Sequence, residues 1–210
     1  MYLKLISMKT KFGLLILGLG LMATLSCSKY PPSSERLLED LAVLTQYDTK
    51  IDFNDYKTYS LADNVIKVTD DGNEVMTGET AIAALAEIDK NMQSRGFVKV
   101  AKDAKPDLGV QVLYFQNTTV YTYYYDYWGW YGYYYPYYPY YPVYYGSYTT
   151  GMANIELLDL KNPDTENDRT PIRWNAFIRG LLTGYHTTSE IIGKVDQAFI
   201  QTPQLQTTAK

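Results

Sequence analysis

The stretch ETAIAALAEIDKNMQSR, residues 79–95, decides the fold, because it predicts an amphipathic helix in the middle of the chain. Its apolar residues recur at steps of four, three and four positions and so lie along one side of a helix: Ala81, Leu85, Ile88 and Met92. Gly96 follows at the position where glycine commonly ends a helix. The apolar side of this helix needs a second layer to pack against.

Short apolar segments on both sides of the helix predict the strands of that layer. They are residues 41–47, 56–61, 65–68, 97–100, 107–115, 153–160 and 172–182. Polar stretches at 70–73 and 161–169 predict a turn and a long hairpin loop between neighbouring strands. The acidic residues of the first stretch do not have the spacing of an EF-hand calcium loop, which favours a solvated turn.

A second helix is predicted near the C-terminal end. Thr187 and Glu190 fit a capping box, an apolar side follows (Ile191, Val195, Ala198 and Phe199), and Pro203 closes the helix. Locally paired strands with one helix in mid-chain and one at the end favour an α+β fold. We expect an antiparallel sheet of about five to seven strands backed by two helices, with a Tyr/Pro/Gly-rich insertion.

The N-terminal residues predict a signal peptide over residues 1–26. Lys4, Lys9 and Lys11 precede an apolar run at 12–25, which is shorter than the roughly 20 residues of a spanning helix. The small residue Ser26 then precedes the only cysteine, Cys27. The start of translation is either Met1 or Met8, since Met8 opens a tidier basic region.

Residues 24–27 (TLSC) resemble a bacterial lipobox, with Thr24 in place of the commoner leucine. We therefore predict a lipid-anchored protein of the cell envelope, acylated at Cys27, with a polar tether at 27–39. Ser28 is not the aspartate associated with inner-membrane retention in some bacteria, which favours the outer membrane. One domain at 40–203 and a C-terminal tail at 204–210 complete the chain.

The charge of the chain argues against nucleic-acid binding. It has 19 basic and 23 acidic residues, a formal net charge of −4, and loss of the basic leader makes the remainder more acidic. A nucleic-acid binder requires a basic patch. The partners that remain are the membrane, through the N-terminal lipid, and an envelope glycan or envelope protein.

The insertion at 121–148 consists mostly of tyrosine. Pro136, Pro139 and Pro142 recur every third residue, which is typical of a polyproline II helix. Tyrosine rings on such a backbone offer rigid contact area, so possible ligand contacts are Tyr137, Tyr138, Tyr140 and Tyr141. The alternatives are an insertion that packs on its own sheet or stays unstructured without a ligand, and aromatic residues that rest at a bilayer interface.

Residues typical of catalysis are scarce, and we predict no enzyme, no cofactor and no metal site. His186 is the only histidine, which excludes a multi-histidine metal site. With Ser189 and Asp196 it could form a triad, but a serine in the first turn of a helix is not a nucleophile elbow. A surface histidine beside a helix cap is favoured. The remaining alternative is an envelope hydrolase that uses carboxylates not recognisable in the sequence.

The segment DFNDYKTY, residues 52–59, resembles the opening motif of the domain-of-unknown-function 4136 (DUF4136) family of bacterial lipoproteins. Later features follow in that family's order: RGF at 95–97, PDL at 106–108, an aromatic and glycine-rich middle, a strand at 155–160, Trp174 and a last helix ending near Pro203. The resemblance covers about residues 40–203. It implies an envelope lipoprotein of unassigned role and provides no catalytic residues. Since the sequence also lacks a catalytic motif, we expect a non-catalytic binding or structural module.

Overall fold

A computed structural model describes residues 41–69, 72–116, 138–140, 151–166 and 169–208. The strands are β1 (Ala42–Tyr47), β2 (Thr58–Thr69), β3 (Gly72–Met76), β4 (Val98–Lys99), β5 (Leu108–Phe115), β6 (Tyr138–Tyr140), β7 (Met152–Asp159) and β8 (Arg169–Arg179). The helices are α1 (Glu79–Ser94) and α2 (Thr188–Ile200). Two short 3-10 helices lie at Phe53–Asp55 and Lys102–Ala104.

The described strands form a sheet in the order β1-β8-β7-β5-β2-β3, with β4 beside β2 and β6 beside β8. The predicted α+β class, a sheet backed by two helices, is confirmed. The expectation of an antiparallel sheet is corrected, because β2 is parallel to both β4 and β5. The reason is the crossover through α1, which returns the chain to the start of β2, so that the next strand runs in the same direction.

Two further boundaries differ from the sequence prediction. The segments at 56–61 and 65–68 form one strand, β2, whose pairing with β5 shifts register between Leu61 and Val65. β8 begins before residue 172 because β6 pairs with Arg169–Pro171. It ends before residue 182 because Gly180 has a φ of 83°, a conformation that does not continue a strand.

The main core lies between the sheet and the helices. Its fully buried members include Tyr59, Ile88, Leu108, Trp174 and Phe199. The two helices run in the same direction, since Thr80 contacts Thr188 (Oγ1 to Oγ1, 2.8 Å) near their starts and Asn91 donates to Asp196 (2.7 Å) further along. The predicted capping box at Thr187 and Glu190 is present.

The residues that follow α2 pack closely on the domain. Leu205 is fully buried, and the Thr207 N–H donates to the carbonyl of Arg95 (2.9 Å). The Thr208 N–H donates to Asn54 Oδ1 (2.9 Å). Residues 204–208 therefore join the end of α1 to the 3-10 helix at Phe53–Asp55. Among the described residues, neither helix has the length and apolar composition to cross a membrane.

Candidate functional site

The residues of the 52–59 motif act first as structural links. Asp52 Oδ1 accepts from the Asn54 N–H (2.9 Å) and starts the 3-10 helix. Asp107 Oδ2 accepts from the backbone N–H groups of Lys57 (2.7 Å) and Thr58 (3.0 Å), and Thr58 Oγ1 accepts from the Asp107 N–H in return. Partial burial would raise the pKa of Asp107, but these N–H donors outweigh it and lower the pKa.

The two tyrosines of the motif each bind a carboxylate. Tyr59 is fully buried and its hydroxyl donates to Asp89 Oδ1 (2.7 Å) on α1. Burial first, and then this hydrogen bond, raise the pKa of Tyr59. Tyr56 donates to Asp159 Oδ2 (2.7 Å) at the end of β7, and the same two causes raise its pKa to about 12. Both hydroxyls therefore stay protonated and serve as donors.

Arg173 lies between two carboxylates. The pairing of β7 with β8 shifts register at Leu157 and Leu158, so that Arg173 is an extra residue on β8. A bulge of this kind re-aims a side chain. The Arg173 guanidinium contacts Asp159 Oδ2 (2.7 Å) and Asp48 Oδ2 (2.7 Å). Burial would lower the pKa of Arg173, but the hydrogen bond and charge of Asp159 raise it.

The hydrogen bonds of this cluster leave little capacity for acid–base chemistry. Asp159 is fully buried, its Oδ2 accepts from Tyr56 and Arg173, and its Oδ1 accepts from the Asn162 N–H (2.9 Å). Asp48 Oδ1 accepts from the Lys50 N–H (2.9 Å). Both carboxylates thus accept from cationic or N–H donors, which is the arrangement of a structural ion-pair network.

A cleft of about 500 Å³ opens beside this cluster, where β1 ends and β8 begins. We call it the β1–β8 cleft. Its lining consists of residues 46–50 and 171–175. Three of these side chains are suited to ligand contact. Tyr47 is 38% exposed, Asn175 is 3% exposed, and Gln46 pairs with Asn175 across the strands and so faces the same side of the sheet.

The amide of Asn175 is notable within the β1–β8 cleft. The residue is 3% exposed and pairs with Gln46 on β1 and with Glu156 on β7, so its side chain lies on the sheet face opposite the helices. Tyr47 pairs with Trp174 and so belongs to the other face. The cleft therefore offers the amides of Gln46 and Asn175 on one face of the sheet and the exposed ring of Tyr47 on the other.

The tyrosine insertion reaches this cleft through β6. Tyr138, Pro139 and Tyr140 pair in parallel with Arg169, Thr170 and Pro171, and Pro171 lines the cleft. The backbone of two predicted contact residues, Tyr138 and Tyr140, is thus brought to the rim. Tyr137 and Tyr141 lie outside the described residues, as do Cys27 and the whole predicted leader and tether.

The sheet face opposite the helices carries a second polar cluster. Glu156 on β7 is fully buried and accepts from Gln111 Nε2 (2.6 Å) and Asn154 Nδ2 (2.8 Å). Apolar residues continue this face towards one end of the sheet, among them Leu113, Phe115 and Phe177. Because the carboxylate is closed off from solvent and bonded to amides, it has no open access for a substrate.

The imagined triad of His186, Ser189 and Asp196 is not assembled. His186 Nε2 lies 2.9 Å from the Gly180 carbonyl, directly before the cap of α2. Asp196 accepts from Asn91, and Ser189 lies in the first turn of α2. No group of three or more metal-ligating side chains occurs within the described ranges. Asp70, Asp71 and Asp168 of the acidic turn and loop fall outside those ranges.

Sequence reasoning missed Arg173, Asp159 and Asn175. The sequence signal that could have identified them is a polar residue within an apolar strand. Asp159 is the last residue of the apolar segment ANIELLD, and Arg173 and Asn175 lie on either side of Trp174. Such residues are rarely buried without a partner. Their partners are remote in sequence. The pattern could therefore show that these polar residues are unusual for a strand, but it could not show which residues they contact.

The fold is similar to several solved structures. The chain is similar to a crystal structure of a DUF4136 family protein from Bacteroides thetaiotaomicron, with 28% identity, a TM-score of 0.64, and coverage of 79% of this chain and 97% of that one. Two further structures are less similar, each with a TM-score of 0.41. One is the PelC dodecamer from Paraburkholderia phytofirmans, with 11% identity and coverage of 81% of this chain and 100% of that one. The other is a PDZ domain protein from Parabacteroides distasonis, with 17% identity and coverage of 81% of this chain and 36% of that one.

No curated protein matches the sequence. The model of a family described as a domain of unknown function, DUF4136, matches residues 43–204. That match spans most of the chain and agrees with the 52–59 motif and the order of strands and helices. The chain belongs to the DUF4136 family.

Proposed function

We propose that this protein is a lipid-anchored, non-catalytic binding module of the cell envelope that takes up a glycan in the β1–β8 cleft. The observation that carries this proposal is the β1–β8 cleft of about 500 Å³, whose lining includes the side-chain amides of Gln46 and Asn175 and the exposed Tyr47. Side-chain amides supply both donors and acceptors, as the neighbouring hydroxyls of a sugar require. The Tyr47 ring offers an apolar surface for the C–H face of the sugar.

The insertion adds to the cleft in this proposal. The β6 pairing supports a contact role for Tyr138 and Tyr140, with Tyr137 and Tyr141 beside them, because it brings the insertion to Pro171 at the rim. Tyrosine provides large contact area with few rotatable bonds. A glycan is favoured over an envelope protein because the cleft is concave and small, whereas protein interfaces are broad.

The envelope hydrolase is the second candidate, and the Arg173 cluster argues against it. Glycoside hydrolysis needs one carboxylic acid that can donate a proton and one free carboxylate across a substrate cleft. Asp48 and Asp159 instead share Arg173, and Asp159 is fully buried. The two carboxylates therefore share one guanidinium and do not face each other across the cleft as separate groups.

Binding is tested by titrating the mature protein with peptidoglycan fragments and lipopolysaccharide sugars. Gln46→Ala should weaken glycan binding, since loss of one hydrogen bond costs about 0.5–1.5 kcal/mol, roughly a 2- to 12-fold change in Kd. Tyr47→Ala should also weaken it, because it removes the ring surface against which the sugar packs. Leu44→Ala is the matched control, because Leu44 is a similarly exposed residue of β1 outside the cleft. Retention of an envelope protein instead of any glycan would contradict the glycan assignment.

The insertion is tested separately. Replacing Tyr137, Tyr138, Tyr140 and Tyr141 together with alanine should reduce binding of the same sugars while the thermal unfolding transition stays cooperative. Unchanged affinity would remove the insertion from the site and leave the cleft alone. Loss of the cooperative transition would assign these tyrosines to the folded core.

The membrane anchor has its own test. Mass spectrometry of the mature N-terminus should show a lipid-modified Cys27, and Cys27→Ala should release the protein from membranes. An unmodified N-terminus at another residue would contradict the lipoprotein assignment.

A further inference from the structure

The two ends of the sheet expose different groups to solvent. At one end β1 begins and β8 finishes, with Ala42 paired to Arg179, and the loop at 180–187 leads from there into α2. We call this the entry end, because the described chain enters the domain here. At the other end Tyr47 pairs with Trp174 and the β1–β8 cleft opens. The five steps along β1 separate the two ends by roughly 17 Å.

The loop at 180–187 projects apolar side chains into solvent at the entry end. Tyr185 is 92% exposed and Leu182 is 52% exposed. The loop is nevertheless held in place by the Gly180 carbonyl, which lies within hydrogen-bond distance of Thr183 Oγ1 (2.7 Å) and His186 Nε2 (2.9 Å). Tyr185 is thus displayed on a fixed turn, whereas the half-exposed Leu182 side chain lies against Gly151.

We propose that the entry end rests on the bilayer, with Tyr185 and Leu182 in the lipid headgroup region. This inference depends on the proposed acylation of Cys27. Residues 28–41 would then join the lipid to the start of β1. The entry end is the part of the domain that this connection joins to the membrane.

The side chains at the entry end suit contact with a lipid surface that does not depend on electrostatic attraction. Tyrosine is enriched at the membrane–water interface because its ring is apolar and its hydroxyl is polar. Glu79 and Glu190 lie in the first turns of the two helices at this end and are exposed, so we expect a contact that does not depend on anionic lipid. Tethering raises the local concentration of lipid at this end, which favours a contact made by few side chains.

The orientation has a consequence for the β1–β8 cleft. With the entry end on the bilayer, the cleft lies at the far end of β1 and faces away from the membrane. A glycan outside the headgroup layer could then reach Tyr47 and Asn175 without displacing the domain.

Two labelled positions test the orientation in the mature, full-length lipoprotein on phosphatidylcholine vesicles. Acylation consumes the thiol of Cys27, so Gly184→Cys or Thr49→Cys carries the sole label. A Cβ at Gly184 meets no atom within 4 Å, and Thr49 is exposed in the cleft lining. We expect a fluorophore at position 184 to be quenched by headgroup-attached spin labels and protected from aqueous iodide, and the reverse at position 49.

A double variant tests whether the side chains of Leu182 and Tyr185 make the membrane contact. Leu182→Ser combined with Tyr185→Ser should abolish the protection at position 184 while flotation with vesicles is unchanged. Equal quenching at positions 184 and 49 in protein that floats would overturn the orientation and leave the anchor intact. Protein that does not float would overturn the acylation of Cys27, and the orientation with it.

Discussion

The hydroxyl of Tyr56 donates a 2.7 Å hydrogen bond to Oδ2 of Asp159, 103 positions later in the chain. This bond joins the 52–59 motif to the end of β7, where Arg173 completes the charge balance of a buried carboxylate. The motif that carries the family resemblance is therefore explained by folding. Tyr56 joins the motif to the end of β7, Tyr59 joins it to α1, and the N–H groups of Lys57 and Thr58 join it to Asp107.

Tyr56→Phe should destabilise the protein by about 1–3 kcal/mol, because it removes a donor from a fully buried carboxylate. Urea unfolding at neutral pH measures the difference. Tyr185→Phe is the matched control and should change the free energy of unfolding very little, since Tyr185 is 92% exposed. Equal effects of the two variants would show that the Tyr56 bond adds no stability.

Asp107 should contribute a pH-dependent part of the stability. Partial burial would raise its pKa, but its pKa in the folded protein is lowered below 3.8, the ordinary value of an aspartate, because the backbone N–H groups of Lys57 and Thr58 donate to it. The stabilisation is therefore complete above the unfolded-state pKa and is lost as the pH falls through the lower folded-state pKa. Asp107→Asn should be less stable than the natural protein at pH 7, and the difference should shrink on titration towards about pH 3. A difference that does not change with pH would assign the effect to altered packing.

Gly96→Ala should be strongly destabilising. Gly96 has a φ of 90°, and a Cβ there would collide with the Thr207 carbonyl oxygen. We expect a loss of more than about 1 kcal/mol, since both the backbone and the C-terminal segment must shift. Gly193→Ala is the matched control. A Cβ at Gly193 meets nothing within 4 Å, so alanine in α2 should stabilise by about 0.5–1 kcal/mol. Thermal unfolding measures the stability of both variants. If both substitutions raised the stability, or both lowered it, the prediction would be contradicted.

Thr187→Ala should cost about 1 kcal/mol, because the Thr187 side chain accepts from the Glu190 N–H and the Glu190 carboxylate accepts from the Thr187 N–H (2.8 Å). The Thr187 N–H and the Thr187 hydroxyl, which both donate to the Glu190 carboxylate, lower the pKa of Glu190. Ser189→Ala is the neighbouring control and should leave stability nearly unchanged. Glycan binding should survive both substitutions, whereas its loss in Ser189→Ala would revive a role for Ser189 in the site.

The local sequence predicted the elements whose signals are short in range. The apolar spacing of 79–95 identified α1, the Thr187 and Glu190 pair identified the start of α2, and strands β1, β5 and β7 were predicted close to their observed bounds. These features depend on side-chain period and on hydrogen bonds within a few residues. The same reasoning divided β2 in two and extended β8 past Gly180, because register shifts and backbone φ are set by neighbouring strands.

The sequence by itself determined that residues 79–94 and 188–200 are helices with one side to bury, and that the strands around them form an α+β domain. Only the tertiary structure decided the parallel pairing of β2 with β5, the ion pairs of Arg173, and the position of β6 beside the cleft. The physical reason is range. Periodicity and capping act over three or four residues, whereas Tyr56 and Asp159, or Asp48 and Arg173, meet only after the chain has crossed the sheet.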